Sequence, residues 1–163
     1  MPKQNDLDKT YLEMASTWSH LSKAKRKKVG CIIVKDGAII SDGYNGTPCG
    51  FNNLCEIYKP TAQNRIIVDD DGGLVEGTYE LVTKPEVLHA ESNAITKLAK
   101  STQSSGGSTM YITISPCVDC SKLIIQSGIK RVVYGELYRD DKGINLLKKA
   151  NIKVKQCTYN SKN

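Results

Sequence analysis

Two short motifs in this chain of 163 residues contain the residue types of a hydrolytic metal site. His-Ala-Glu at 89–91 supplies an imidazole and a carboxylate, and Pro-Cys-Val-Asp-Cys at 116–120 supplies two thiols. Cysteines three apart on a helix lie on one face, so both sulfurs can bind the same ion. A set of two cysteines and one histidine leaves the fourth position of tetrahedral zinc open for water. We therefore interpret His89, Cys117 and Cys120 as zinc ligands.

Glu91 is the spare acid of these motifs. It is too near His89 in sequence to be an easy second ligand, but it can reach the water and carry its proton. Since residues two apart in a regular helix diverge, we expect the pair to straddle the first turn of a helix. The order H-x-E…P-C-x-x-C is typical of zinc-dependent nucleobase deaminases, in which zinc lowers the pKa of water from about 15.7 towards 7. Glu91 would then move a proton to the ring nitrogen and to the departing amine.

Three other interpretations remain open. The first is a closed structural zinc site, but no further CxxC or HxxxH pair accompanies the spare ligands, and such a site has no use for Glu91. Those spare ligands are His20, Cys31, Cys49, Cys55 and Cys157. The second is a tRNA or DNA base deaminase. The scarcity of aromatic residues among the basic runs argues against this interpretation. The third is a catalytically silent zinc-binding interaction module.

Composition predicts a single domain spanning residues 1–163, long enough to form a core without disulfides. Hydrophobic residues make up 39% and charged residues 25% of the chain, which is ordinary for a globular protein. No apolar run has the length of a membrane span, and the N-terminus lacks the apolar region of a signal peptide. Two of the six cysteines lie in a CxxC motif. We therefore expect a cytoplasmic protein with reduced cysteines, in the host cytoplasm if a phage encodes it.

The net charge of +6 is concentrated in two clusters. Such clusters favour anionic ligands, either nucleotide phosphates or a nucleic-acid backbone. The alternative is that these lysines are solvated cations at helix ends, where they suit the helix dipole. The clusters are Lys23, Lys25, Arg26, Lys27 and Lys28, and Lys148, Lys149, Lys153 and Lys155.

Hydrophobic periodicity predicts alternating helices and strands, and hence an α/β domain in which helices cover a sheet of about five strands. We predict strands at 29–34, 38–44, 110–114, 131–134 and 152–154, and helices at 6–23, 88–99, 117–127 and 145–150. Residues 49–88 are interpreted as an irregular insertion with turn chemistry at 69–73 and a short helix before Pro85. The first helix is predicted to bury one face, formed by Leu7, Tyr11, Met14, Ala15, Trp18 and Leu21.

Across nearly its whole length the chain resembles the deoxycytidylate deaminases of the cytidine deaminase superfamily, especially those of phages. The Gly-Tyr-Asn-Gly-Thr-Pro segment, with a long insertion before His-Ala-Glu, is what resembles this branch rather than the superfamily at large. The residues that carry the resemblance are 29–34 (VGCIIV), 43–48 (GYNGTP), 89–95 (HAESNAI), 110–120 (MYITISPCVDC) and 126–130 (QSGIK).

The resemblance implies a three-layer cytidine deaminase-like fold with a mixed five-stranded sheet, and a homo-oligomer, often a hexamer. It implies hydrolysis of dCMP to dUMP and ammonia, which supplies dUMP for thymidylate synthesis. It also implies activation by dCTP and inhibition by dTTP, with Mg²⁺ accompanying the regulatory triphosphate. These expectations make nucleic acid and membranes improbable partners.

Carried over by motif, His89, Cys117 and Cys120 would bind zinc and Glu91 would be the proton shuttle. Asn45 would contact the sugar and Tyr138 the 5′-phosphate, and Arg26 and Lys28 are further candidates for the phosphate. Ala90 and Ser115 are expected to contact the substrate as well. Some family members hold a second, structural zinc ion. Here Cys55 matches one such ligand, but Ala24 stands where a cysteine would be expected, so we expect one zinc ion.

The segment that includes Asn45 is also interpreted as an allosteric loop. We expect it to be flexible and rich in free amides, able to cradle phosphates and to carry a signal from a second nucleotide to the substrate. Its residues are Gly43, Tyr44, Asn45, Gly46, Thr47 and Pro48.

Overall fold

The computed structural model describes residues 2–60, 67–68, 74–76 and 79–160. The helices in these ranges are α1 (Gln4–Ser19), α2 (Ala90–Leu98), α3 (Val118–Gln126) and α4 (Lys142–Lys149). The strands are β1 (Gly30–Lys35), β2 (Ala38–Tyr44), β3 (Glu56–Pro60), β4 (Ile67–Val68), β5 (Leu74–Glu76), β6 (Tyr79–Thr83), β7 (Thr109–Ile114), β8 (Arg131–Glu136) and β9 (Lys153–Gln156).

Five of the strands form one mixed sheet in the order β2-β1-β7-β8-β9. β1 pairs antiparallel with both β2 and β7, whereas β7, β8 and β9 are parallel to one another. The predicted α/β class and the five-stranded mixed sheet are confirmed. Because β7 and β8 are parallel neighbours, their carboxyl ends meet at one edge of the sheet, where ligands bind in folds of this kind.

Helices cover both faces of the sheet, which gives three layers. Successive side chains of a strand point to opposite faces, and the core divides accordingly. Cys31 and Ile33 of β1 belong to the core under α2, α3 and α4. Ile32 and Val34 belong to the core under α1. The two helices that follow the motifs at 89–91 and 116–120 therefore share one side of the sheet.

The buried face of α1 differs from the predicted one. Met14, Trp18 and Leu21 are 41%, 38% and 50% exposed, whereas Asp8 and Leu12 are completely buried. The prediction is confirmed for Ala15, which is buried, but it was wrong in assigning every apolar residue of the face to the core, and it did not foresee a buried acid. α1 is the longest helix in the described ranges, and none of the described helices is long and apolar enough to cross a membrane.

The insertion at 49–88 is more regular than expected. β3 and β6 pair antiparallel from Glu56 opposite Thr83 to Pro60 opposite Tyr79, and β4 pairs with β5. The short helix predicted before Pro85 is wrong, because residues 79–83 form β6 and are paired along their whole length. The predicted turn at 69–73 lies outside the described residues.

Candidate active site

His89 and Cys117 each occupy the residue immediately before a helix. The backbone of His89 is extended (φ −71°, ψ 158°), and α2 begins at Ala90. Cys117 has a similar conformation (φ −71°, ψ 172°), and its sulfur accepts a hydrogen bond from the backbone N–H of Cys120. The His-Ala-Glu motif therefore straddles the start of a helix, as predicted. This change from extended to helical backbone lets the side chains of His89 and Glu91 converge.

One nitrogen and two sulfurs form a compact donor set. His89 Nδ1 lies 3.6 Å from Cys117 Sγ and 3.4 Å from Cys120 Sγ, and all three atoms lie within 4.8 Å of one another. Zn–N and Zn–S bonds of about 2.0 and 2.3 Å that meet at a tetrahedral angle separate nitrogen and sulfur by about 3.6 Å. The spacing and the donor chemistry both fit zinc. Among the described residues these three form the one such group of His, Cys, Asp or Glu side chains.

The electrostatics of this cluster favour a thiolate. Hydrogen bonds from Cys120 and His89 lower the pKa of Cys117 to about 4. The hydrogen bond with Cys117 in turn raises the pKa of His89. The thiol of Cys120 has a raised pKa because Cys117 and burial both oppose its ionisation, so without a metal the two sulfurs do not both ionise. A divalent cation removes this conflict, since metal binding deprotonates thiols.

Glu91 lies beneath this cluster, in the first turn of α2. It is only 4% exposed, and burial raises its pKa to about 7. A carboxyl group with a pKa near neutrality can both accept and donate a proton, which is the requirement for a general acid–base group. Glu91 is thus suited to carry a proton beside the donor set.

Close packing fixes the two helix starts. A Cβ on Gly43 would lie 2.2 Å from the carbonyl oxygen of Ala90, and Asn93 donates a hydrogen bond of 3.0 Å to the Tyr44 carbonyl. These contacts hold α2 against β2. A Cβ on Gly143 would lie 2.0 Å from the Pro116 carbonyl oxygen, so the start of α4 packs directly on the turn that presents Cys117. Any larger residue at Gly43 or Gly143 would displace backbone that positions the site.

A cavity of about 140 Å³ opens over the cluster. Pockets that enclose drug-sized ligands measure about 300–1,000 Å³, so this one takes a single ring and leaves larger substituents at its mouth. Seven of the predicted site residues line the cavity: His89, Ala90, Glu91, Cys117, Asn45, Ser115 and Tyr138. Cys120 lies behind them, 3% exposed. The structure therefore gathers into one place residues that are far apart in the sequence.

The cations at this cavity are not the predicted ones. Lys27 and Arg139 line it, whereas Arg26 and Lys28 do not. Arg26 instead reaches Thr83 Oγ1 at 3.3 Å. Lys27 and Val29 both line the cavity, as expected if the alternation of β1 extends back towards residue 27. That alternation was the signal that could have selected Lys27, and the place of Arg139 just beyond β8 could have indicated the other cation.

The segment at 43–48 is not the flexible amide cradle that we predicted. Gly43 and Tyr44 belong to β2, and the amides of Asn45 and Gly46 donate to the carbonyl oxygens of Val29 and Leu88. Leu88 N–H donates back to the Gly46 carbonyl, so the two segments form a bridge. These amides are already paired and cannot receive a phosphate.

Comparison with known proteins identifies the family. Residues 5–136 match the model of the cytidine and deoxycytidylate deaminase zinc-binding region. The chain belongs to this family. It is 37% identical over 170 residues to the deoxycytidylate deaminase of Enterobacteria phage T4, covering 89% of this chain and 86% of the relative. It is 35% identical over 132 residues to the deoxycytidylate deaminase of Homo sapiens, covering 80% and 65% of the two chains.

A solved structure shares the fold over nearly the whole chain. It is that of the dCMP deaminase of cyanophage S-TIM5 in complex with dCMP and dUMP, and its TM-score to this protein is 0.77. The sequence identity is 40%, and the match covers 95% of this chain and 99% of the other. Together with the phage T4 relative, this match confirms the predicted family and its deaminase fold.

Proposed function

We propose that this protein is a zinc-dependent hydrolase that converts dCMP and water to dUMP and ammonia. The observation that carries the proposal is the convergence of one imidazole, two thiols and the buried Glu91 at one small cavity with two cations at its mouth. The zinc-binding family model and the deoxycytidylate deaminases among its relatives support it. A closed structural zinc site would need a fourth protein ligand and would leave Glu91 without a role.

His89 Nδ1, Cys117 Sγ and Cys120 Sγ would hold the zinc ion. When bound there, zinc acts as a Lewis acid and lowers the pKa of water, which provides a nucleophile at neutral pH. Cys117 contributes a thiolate readily because its pKa is already low. Because both thiolates and the imidazole would be bound to zinc, none of the three ligands could transfer a proton. Glu91 would therefore be the group that transfers it.

Glu91 would move two protons during the reaction. It first accepts a proton from the water whose oxygen forms a bond to C4 of the cytosine, and it passes this proton to the ring nitrogen N3. It then takes the remaining proton of that oxygen and gives it to the amine, so that the C4–N bond breaks and ammonia leaves. The C4 carbonyl of uracil remains. A carboxyl group with a pKa of about 7 can accept and release protons in turn without a large free-energy cost.

The rest of the cavity would orient the nucleotide. Its volume of about 140 Å³ suits the base, and the 5′-phosphate would lie at the mouth near Tyr138, Lys27 and Arg139. Asn45 also lines the cavity and is our candidate for contact with the sugar. The buried Ser115 and Ala90 would shape the wall around the base.

Regulation and assembly are further parts of the proposal. By resemblance to the family, dCTP with Mg²⁺ would activate, dTTP would inhibit, and the enzyme would be a homo-oligomer such as a hexamer that supplies dUMP for thymidylate synthesis. The signal would reach the substrate through Asn45, whose side chain holds the backbone of residues 27 and 29. Sigmoidal kinetics that dCTP makes hyperbolic, in an oligomer, would support this part. A monomer that ignores both triphosphates would contradict it.

A substrate panel tests the main proposal. The protein, with its zinc content measured, is assayed by absorbance with cytidine, deoxycytidine, CMP, dCMP, dCTP and adenosine. We expect the highest kcat/KM for dCMP, because donors arranged for a phosphate stay unpaired when a nucleoside binds. Equal values for dCMP and deoxycytidine would contradict the nucleotide assignment. One zinc per chain with no turnover of any compound would instead favour a silent zinc-binding module. Salt-sensitive binding of RNA or DNA would favour a polynucleotide deaminase.

A further inference from the structure

Lys27 makes an ion pair at the mouth of the cavity. Its Nζ lies 2.8 Å from Oε2 of Glu136, and both side chains are 59% exposed. Lys27 lines the cavity, whereas Glu136 does not; it is the last residue of β8, two residues before Tyr138, which does line the cavity. The pair therefore lies beside the place where the proposed phosphate would enter, with Lys27 on the cavity side.

The backbones that carry the two side chains are fixed, so that only the side chains can change partner. Asn45 Nδ2 donates to the Lys27 carbonyl and Asn45 Oδ1 accepts from Val29 N–H, both at 2.8 Å. On the other side, Ser115 N–H donates to the Glu136 carbonyl and Ser115 Oγ accepts from Tyr138 N–H, again both at 2.8 Å. Asn45 and Ser115 thus clamp the two walls of the mouth.

The two cations of the mouth differ in their partners. Arg139 lies over the ring of Tyr138, with 5.4 Å from its guanidinium carbon to the ring centre. Within the described ranges Arg139 has no acidic partner, whereas Lys27 has Glu136. An incoming phosphate finds Arg139 free but has to compete with a carboxylate for Lys27.

We propose that Lys27 is a specificity-determining residue that exchanges Glu136 for the 5′-phosphate of the substrate, and that Glu136 limits how tightly the nucleotide is held. This inference rests on the proposed function. The exchange is feasible because an exposed ion pair is weak and is screened by salt. A phosphate carries more charge than a carboxylate and has three strong acceptor oxygens, so it outcompetes Glu136 when the base is bound in the cavity. Glu136 also repels the phosphate, which weakens the hold on the nucleotide product.

The test is the ratio of kcat/KM for dCMP to kcat/KM for deoxycytidine. We expect Lys27→Met to lower this ratio by about 10-fold or more, since a charge-assisted hydrogen bond to phosphate is lost. Glu136→Gln should raise it about 3-fold, because the competitor and its repulsion are removed. Both changes should shrink when the ionic strength rises from about 0.05 M to about 0.5 M. A structural role for the pair would move both substrates together and leave the ratio constant.

Binding without turnover provides a second measurement, and another ion pair provides the control. In calorimetry, Lys27→Met should weaken the binding of dUMP and Glu136→Gln should strengthen it, whereas neither variant should change the binding of deoxyuridine. Lys97→Met is the matched control, because Lys97 forms a similar exposed pair with Asp42 away from the cavity and should not change the ratio. The inference is overturned if the wild type prefers dCMP while either Lys27→Met or Glu136→Gln leaves the ratio within about twofold. If the wild type turns over neither compound, the proposed function itself has failed.

Discussion

Among the described residues two carboxylates are buried, and their surroundings are opposite. Asp8 on α1 is 0% exposed and Glu91 on α2 is 4% exposed. Asp8 accepts hydrogen bonds from Arg131 at 2.6 and 2.8 Å and from Lys155 at 2.7 Å. Burial alone would raise the pKa of Asp8, but the hydrogen bonds from Arg131, Lys155 and Gln4 outweigh burial and hold that pKa well below its usual range.

For Glu91, burial raises the pKa to about 7, because hydrogen bonds from the backbone and from Cys120 and the charge of His89 offset burial only in part. A buried acid that is fully paired with cations stays ionised and joins elements of the fold together. A buried acid that is not paired with Arg or Lys gains or loses a proton near neutral pH, which suits proton transfer and not stability. The predictions below test this contrast with isosteric substitutions of each acid and of the ligands beside Glu91.

The largest effect is expected for Glu91→Gln. The amide keeps the shape of the side chain but cannot carry a proton, so kcat for dCMP should fall by at least about 10²–10⁴-fold. Zinc content and the free energy of unfolding should stay close to those of the wild type, because in the described part of the chain Glu91 forms no ion pair with a Lys or Arg side chain. Asp8→Asn is the matched control in the same assay and should keep most of the turnover. Wild-type turnover in Glu91→Gln would contradict the proton-transfer role.

Loss of a ligand should separate metal binding from proton transfer. In Cys120→Ser, a hydroxyl replaces a thiolate, and zinc affinity should fall by more than the roughly 10–100-fold that follows loss of a group that merely hydrogen-bonds a ligand. Zinc per chain, measured by elemental analysis after dialysis, should drop along with activity, whereas Glu91→Gln keeps its zinc. Cys157→Ser, the same change at a buried cysteine outside the donor set, is the control. Full zinc occupancy in Cys120→Ser would remove this residue from the proposed ligand set.

The two buried acids also differ in how far the sequence could reveal them. The site around Glu91 is built from short motifs, since His89 and Cys117 precede helices and Cys120 follows Cys117 by three residues. Local spacing therefore predicts most of it. The partners of Asp8 are 123 and 147 residues away in the sequence, so no local pattern connects Asp8 with Arg131 or Lys155. For the same reason the buried face of α1 was predicted incorrectly.

The remaining errors have a similar origin. Lys27 lines the cavity and its neighbours do not, which fits an alternation that extends back from β1, but a run of four cations conceals that alternation in the sequence. β3 and β6 pair although a stretch of sequence without hydrophobic periodicity separates them. Apolar residues such as Ile57 and Tyr79 are exposed in these strands, so the strands show no clear alternation of apolar and polar residues. Elements defined by local patterns were predicted, whereas elements defined by a distant partner were not.

A smaller effect, on stability and not on chemistry, is expected for Asp8→Asn. Removing one member of a buried ion pair costs about 3–5 kcal/mol, and because Arg131 and Lys155 are partly exposed we expect about 2–3 kcal/mol here. For a chain of this size that corresponds to a fall in Tm of about 4–12 °C. Glu91→Gln, which neutralises a carboxylate equally buried, should lose much less. The contrast would be wrong if the two substitutions reduced the free energy of unfolding equally.

The smallest effect is the loss of this stabilisation in acid. Because the folded protein lowers the pKa of Asp8, its contribution is fully present above the pKa of an unfolded aspartate, about 3.9, and is lost as the pH falls towards the folded value. Of the groups that contact it, Arg131, whose pKa the hydrogen bond with Asp8 raises, stays charged, and Tyr111, whose pKa burial raises to about 12, stays neutral. The difference in unfolding free energy between wild type and Asp8→Asn should therefore be constant between about pH 5 and 7 and narrow below about pH 4.

Denaturant titrations of both variants across this range measure that difference directly. Protonation of the cysteine and histidine cluster affects both variants alike, and since this cluster is remote from Asp8 it cancels in the comparison. If the difference in unfolding free energy between wild type and Asp8→Asn narrowed already near neutral pH, Asp8 would titrate like Glu91. The proposed contrast between the two acids would then be wrong. A gap that persists undiminished to pH values well below about 3 would mean that the asparagine is destabilising for its shape or hydrogen bonding and not for its missing charge.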